Sequence, residues 1–382
     1  MNVKHYPVRE PNESQGEDSE EFVTLARRQE PLSNLEELKV HGVCDWLTTI
    51  NIRSMFAHCP NIKKLEVSGI TGQGDIDAVG PFIGKVCPKI EWLKYDNPVL
   101  WRHDPLPLKL MESLPAQQVN MFIYSGIITT ADSLGVRAAI QHHSTTLRHI
   151  RIDSSTSSQK MSASVIFKEC CNLEELSISI YSTTGHYITL EDALESPWTC
   201  AKLRRLELGI SGCEVPIEPE VLPYYSRPIP ITISDAETSH FAQLEQLYKQ
   251  IGALTSLQHL NLRMVSFNEH GQAFVGQSDE HQSFPGWLRL QDSLTGRPGY
   301  LQLLSGLKQL EYLEGSVRMD SVENKELEGW REAKWMEENW PSLRRAQFFA
   351  RKTDVSTPFL WLLYKREILD KTDFRLWDLY AC

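Results

Sequence analysis

The sequence predicts an α/β solenoid, a horseshoe with parallel strands along a concave face and helices along a convex face. Three observations predict it. A short phrase, apolar-x-x-apolar-x-apolar, occurs ten times from residue 31 onward. Its copies stand at a nearly constant spacing, and helix-periodic stretches fill the gaps between them. The chain has 382 residues, more than one compact core usually organises, and an elongated array of stacked units accommodates that length.

Residues 1 to 30 are polar and acidic, with Glu10, Glu13, Glu17, Asp18, Glu20 and Glu21. They bury too little apolar surface to fold alone and are expected to form a flexible leader. Phe22, Val23 and Leu25 are expected to pack on the first repeat as part of an N-terminal cap. The clear copies of the phrase are Leu35/Leu38/Val40, Ile62/Leu65/Val67, Ile90/Leu93/Tyr95, Val119/Phe122/Tyr124, Leu147/Ile150/Ile152, Leu173/Leu176/Ile178, Leu203/Leu206/Leu208 and Leu257/Leu260/Leu262. Two weaker copies follow at Leu310/Leu313/Gly315 and Leu343/Ala346/Phe348. First positions are separated by 27, 28, 29, 28, 26, 30, 54, 53 and 33 residues. The principal spacing falls in the window of leucine-rich repeats, roughly 20–29 residues. Each unit is expected to pair one short strand with one helix, as at Ile52 to His58, Val136 to His142, Ala163 to Glu169 and Phe241 to Ile251. The repeat domain is expected over residues 31–350.

Cys59, Cys87, Cys170 and Cys200 each stand three residues before the first apolar position of their repeats, and Pro60, Pro88 and Pro341 stand two before. A thiol at a recurrent helix end is expected to be a small buried filler, and the proline to end the helix and favour an extended approach to the strand. The phrase Cys59-Pro60-Asn61-Ile62-Lys63-Lys64-Leu65-Glu66-Val67, echoed by Cys170-Cys171-Asn172-Leu173-Glu174-Glu175-Leu176, resembles the repeats of fungal F-box leucine-rich-repeat proteins. The resemblance covers about residues 31 to 350. It implies repeats that hold a substrate protein while an F-box bundle docks on a ubiquitin-ligase adaptor. Residues 1 to 30 are too short and polar to be such a bundle, so they are not expected to bind the adaptor.

Charge limits the partners. The 39 Lys+Arg against 50 Asp+Glu leave a net charge of −11, a field that repels phosphate backbones and anionic lipids, so neither nucleic acid nor membrane is expected. No signal peptide or spanning stretch is read in the sequence, and eight cysteines are too dilute for a disulfide scaffold, so a cytoplasmic or nuclear location is expected. No H-E-x-x-H, paired C-x-x-C, phosphate loop or G-x-S-x-G elbow occurs. No metal, cofactor or enzymatic activity is expected. Gly69 to Gly74 reads as a strand-exit turn.

Residues between the inward apolar positions of each strand should line the concave face. Trp92, His149, Arg151, Arg205, Glu207, His259, Arg263 and Tyr312 are the expected partner-binding residues there. The same rule places Lys39, Lys64, Glu66, Lys94, Ile123, Glu175, Ser177, Asn261 and Glu314 beside them. Mixed charge with Arg and aromatic side chains suits a protein surface better than a continuous basic track. Two segments that interrupt the period, 209–240 and 264–299, are expected to be insertions on one rim, with a degenerate extra repeat as the alternative in each. There Tyr224, Tyr225, Phe284 and Trp287 would serve as apolar anchors, and Arg227 and Arg289 as donors. Tryptophans near the C terminus, among them Trp330, Trp335 and Trp340, should close the last layer, with residues 351–382 as a capping segment. The expected function is non-enzymatic recognition of another protein, with a GTPase or other enzyme regulator and a purely structural scaffold as the alternatives.

Overall fold

The computed structural model describes residues 30–41, 49–68, 76–96, 106–126, 132–153, 159–160, 163–178, 186–213, 234–267, 273–274, 283–291, 296–314, 316–317 and 330–347. Residues 1–29, the turn expected at 69–74, Tyr224, Tyr225, Arg227 and residues 351–382 lie outside them. In chain order the elements are β1 (Glu37–His41), α1 (Thr49–Ala57), β2 (Lys64–Ser68), α2 (Ile76–Val86), β3 (Trp92–Asp96), α3 (Leu106–Ser113), β4 (Met121–Ser125), α4 (Asp132–His143) and β5 (His149–Asp153). Then follow β6 (Gln159–Lys160), α5 (Ser164–Glu169), β7 (Glu175–Ile178), β8 (His186–Thr189), α6 (Leu190–Leu194), β9 (Arg205–Ser211), α7 (Asp235–Gly252) and β10 (His259–Phe267). The chain continues through β11 (Ala273–Phe274), β12 (Ser283–Leu288), a 3-10 turn at Tyr300–Leu304, β13 (Tyr312–Glu314), β14 (Ser316–Val317), α8 (Trp330–Asn339) and β15 (Arg345–Gln347).

Ten strands form one parallel sheet in the order β1-β2-β3-β4-β5-β7-β9-β10-β13-β15. Each begins two residues after the first apolar position of one of the ten phrases. Parallel neighbours need a crossover, and helices supply it: α1 packs on α2, α2 on α3, and so on to α7, which packs on the 3-10 turn. The four stretches read as helical are helical in α1, α4, α5 and α7. Gly80 and Gly84 let α2 approach α3 closely, since a Cβ at either would come within 3.0 Å of backbone or Cβ atoms of Lys109, Leu110 or Ser113.

A recurrent hydrogen bond holds the units in register. The backbone N–H groups of Lys63 and Lys64 both donate to the Glu36 carbonyl, at 2.8 and 2.9 Å. The same fork recurs from Glu91 and Trp92 to Lys63, Asn120 and Met121 to Glu91, Arg148 and His149 to Asn120, and onward to Glu311 and Tyr312 on Gln258. One carbonyl per unit thus satisfies both donors at the start of the next strand. The asparagine of the Cys-Pro-Asn and Cys-Cys-Asn phrases acts between units as well. Asn61 and Asn172 each donate from the side-chain amide at 2.7 Å to a carbonyl of the preceding unit, Ser33 and Thr145. Their amide oxygens accept from Lys89 and Lys202 of the following unit, also at 2.7 Å.

The inward apolar positions are buried, and so are Cys59, Cys87, Cys170 and Cys200. The Cys87 thiol donates to the Cys59 carbonyl at 3.2 Å, and burial pushes Cys87, Cys170 and Cys200 up to about 12. These thiols fill space and are protonated at neutral pH.

The described parts of the two long segments carry regular structure. Strand β9 runs on to Ser211 and α7 starts at Asp235, so both ends of 209–240 are regular. A capping box starts α7: Ser234 Oγ accepts from the Glu237 N–H, while the Glu237 carboxylate accepts from the Ser234 N–H. Within 264–299, β10 continues to Phe267 and β12 pairs with β14 in a separate two-stranded sheet. Phe284 is fully buried there and Arg289 is buried. Both were expected on a rim. They instead belong to the packed interior, where the Tyr248 hydroxyl donates to the Pro285 carbonyl at 2.8 Å and Tyr248 stacks on Tyr300. In the ten-stranded sheet β9 pairs directly with β10, and β10 with β13.

Candidate functional site

Strand side chains alternate between the helix layer and the opposite, open face. Register lines up the open-face residues across the sheet. Lys64, Trp92, Met121, His149, Glu175, Arg205, His259 and Tyr312 stand opposite one another in a single row. Glu66, Lys94, Ile123, Arg151, Ser177, Glu207, Asn261 and Glu314 form the next row by the same pairings. Five of the expected partner-binding residues therefore share one row, Arg151 and Glu207 stand in the second, and Arg263 lies further along β10 opposite Gly209. Trp287 is placed in β12, which pairs with β14 in the separate two-stranded sheet. Tyr224 and Tyr225 lie outside the described residues.

The chemistry concentrates on β7, β9, β10 and β13. Glu207 is buried, yet its carboxylate accepts from Ser177 Oγ at 2.5 Å and from Arg205 Nη2 at 2.5 Å. His259 Nε2 lies 3.0 Å from the same carboxylate. Burial alone would raise Glu207, but the close approach of His259, the Ser177 hydroxyl and the Arg205 guanidinium together outweigh it and hold the carboxyl at about 2, below its ordinary 4.5. The imidazole of His259 stacks on Tyr312, centroids 4.3 Å apart. Beyond it Arg263 pairs with the Glu314 carboxylate and donates from Nε to Asn261 Oδ1 at 3.3 Å. The Tyr312 hydroxyl donates to Glu314 at 3.3 Å. Two buried carboxylates thus hold two arginines and an aromatic pair in fixed positions.

The other end of the face is arranged similarly. Glu66 accepts from Lys94 at 2.5 Å and lies 3.6 Å from Lys39, and Arg151 donates to Asp153 at 2.7 Å. Between them Trp92, Met121 and Ile123 form a half-buried apolar patch.

This network assigns Glu207 a supporting role, beneath Arg205 and His259. Sequence alternation placed it on the face but carried no sign of its burial, which comes from residues 30 and 52 positions away in the chain (177 and 259). The Glu207 contribution to stability is fully present above its unfolded value of about 4.5 and is lost as pH falls toward 2. Glu207→Gln is expected to cost on the order of 2–3 kcal/mol at neutral pH. Urea titrations at pH 7 and pH 2.5 check this. An equal cost at both values would mean that the ionised form contributes nothing.

A residue missed in the sequence is His143, fully buried at the end of α4. It joins α3 to β4 through both ring nitrogens. No local pattern distinguished it from the adjacent His142.

Among the described residues no group of three or more His, Cys, Asp or Glu side chains is placed to hold a metal ion, and no helix is long and apolar enough to cross a membrane. The chain matches no protein-family model and no curated protein sequence.

Proposed function

We propose that the chain is a leucine-rich-repeat solenoid that recognises another protein through its concave face and catalyses no reaction on it, a recognition module related to fungal F-box leucine-rich-repeat proteins. The observation that carries this reading is the single row in which Trp92, His149, Arg205, His259 and Tyr312 face away from the helices. Aromatic and arginine side chains held by packing and buried acids are the groups that dominate binding at protein interfaces, because little rotamer freedom is lost when they are covered. Sheet order supports the reading too. Along the ten-strand path the order never reverses, the arrangement expected of stacked units.

The test is a Trp92→Ala/Tyr312→Ala double variant. Both side chains are half exposed, so the thermal transition should move by only a few degrees. A protein that co-purifies stoichiometrically with the native chain should be lost or weakened at least tenfold, since hot-spot truncation costs about 2 kcal/mol or more. Undiminished capture by the double variant would remove the face from the interface.

A further inference from the structure

Several of the ion pairs on the open face share a polarity. Lys39 is 53% exposed and its partner Glu66 is 13% exposed; Arg205 is 41% exposed and its partner Glu207 is 5% exposed. Lys94 over Glu66 and Arg151 over Asp153 repeat the order, cation outward and carboxylate beneath, whereas Arg263 and Glu314 are both largely covered. Glu37 on β1 and Glu175 on β7 are exposed carboxylates on this face. A chain of net charge −11 therefore presents an outer layer made mainly of fixed cations on the surface that the recognition reading uses.

We propose that this face binds an acidic segment of a partner protein, with a carboxylate on Arg205 and an aromatic or apolar residue on the adjoining His259–Tyr312 shelf. The inference rests on the recognition reading and specifies its partner. Guanidinium groups pair with carboxylates through directional, charge-assisted hydrogen bonds, and Glu207 below holds Arg205 in place before binding. Those same acids leave the face nearly neutral beyond a Debye length, about 8–10 Å. A long polyanion such as nucleic acid draws its affinity from many phosphates and displaced counterions, and gains little here. A short acidic segment gains from two or three placed contacts and from stacking, which are the contacts this face offers.

The experiment follows a fluorescein-labelled dodecapeptide of repeated Glu-Glu-Tyr by anisotropy with the full chain. Saturable binding is expected, weakened about tenfold by Arg205→Glu, the equivalent of roughly 1.4 kcal/mol. Arg205→Gln avoids placing a second acid beside Glu207 and should weaken binding severalfold with the fold intact by circular dichroism. Lys249→Glu, on the exposed side of α7, should change nothing. The proposal is overturned if the peptide does not saturate, if the Arg205 variants bind it as tightly as the native chain, or if oligothymidylate of equal length binds as well at the same ionic strength. If the Trp92/Tyr312 variant still loses its native partner while the peptide fails to bind, recognition stands and the acidic partner does not.

Discussion

Trp340→Ala should lower the stability of the folded chain by about 3–5 kcal/mol, the range for truncating a fully buried large aromatic. Trp340 is 0% exposed at the end of α8, and its indole N–H donates to the Leu304 carbonyl at 3.0 Å. Its ring meets Trp335 edge-to-face with centroids 5.2 Å apart. Alanine would leave a cavity in the buried core cluster and remove one of the two donors to the Leu304 carbonyl, which keeps the Leu307 N–H at 3.1 Å, so the transfer, cavity and hydrogen-bond losses act in the same direction. Trp340→Phe keeps most of the ring and loses the donor, and should cost about 1–2 kcal/mol. Urea denaturation followed by circular dichroism checks both. A loss under 1 kcal/mol for the alanine variant would show that this layer collapses around the gap.

The second large effect is a pH dependence carried by His143. Its Nδ1 accepts from the backbone N–H groups of Gln118 and Val119, at 3.2 and 3.3 Å, so the proton sits on Nε2, which donates to the Met111 carbonyl at 2.8 Å. A second proton would remove the acceptor. Burial, with a smaller contribution from the neighbouring His142, pushes the ring down from 6.5 to about 4. The unfolded chain therefore takes up this proton first as pH falls. The stability due to His143 is fully present above pH 6.5 and is lost between 6.5 and 4, by about 3 kcal/mol in all. His143→Leu should cost roughly 3 kcal/mol or more at pH 7.5, because two buried backbone groups and one partly buried one lose their partner. The difference from the native chain should shrink steadily toward pH 4. A gap of constant size across that range would show that His143 does not titrate as its geometry requires.

Much of the fold was legible in the sequence because it depends on local periodicities. Alternation with period two marks which residues of a strand turn inward, and a recurrence near 28 residues marks where strands begin. Both survive in the weakest copies, where Leu310 and Leu343 still precede β13 and β15 by two residues. The buried thiols were legible for the same reason, since each occupies the same place in its unit. The candidate face was legible as a set of positions.

Its organisation was decided only in three dimensions. Whether Glu207 is a solvated strand residue or a buried anchor depends on Ser177 and His259, which register brings beside it from other units. His143 likewise differs from His142 only through Met111, Gln118 and Val119. Phe284 and Arg289 read as surface anchors because they fall outside the repeat phrase, but β12 pairs with β14 and packs against α7, and that burial leaves no mark on spacing. The sequence by itself determined which residues form strands and which side of each strand faces the core, because those properties follow from neighbours a few positions away. Register, and with it the burial and charge of each side chain on the open face, was decided only by the tertiary structure, because desolvation and hydrogen bonding depend on atoms supplied by residues tens of positions distant.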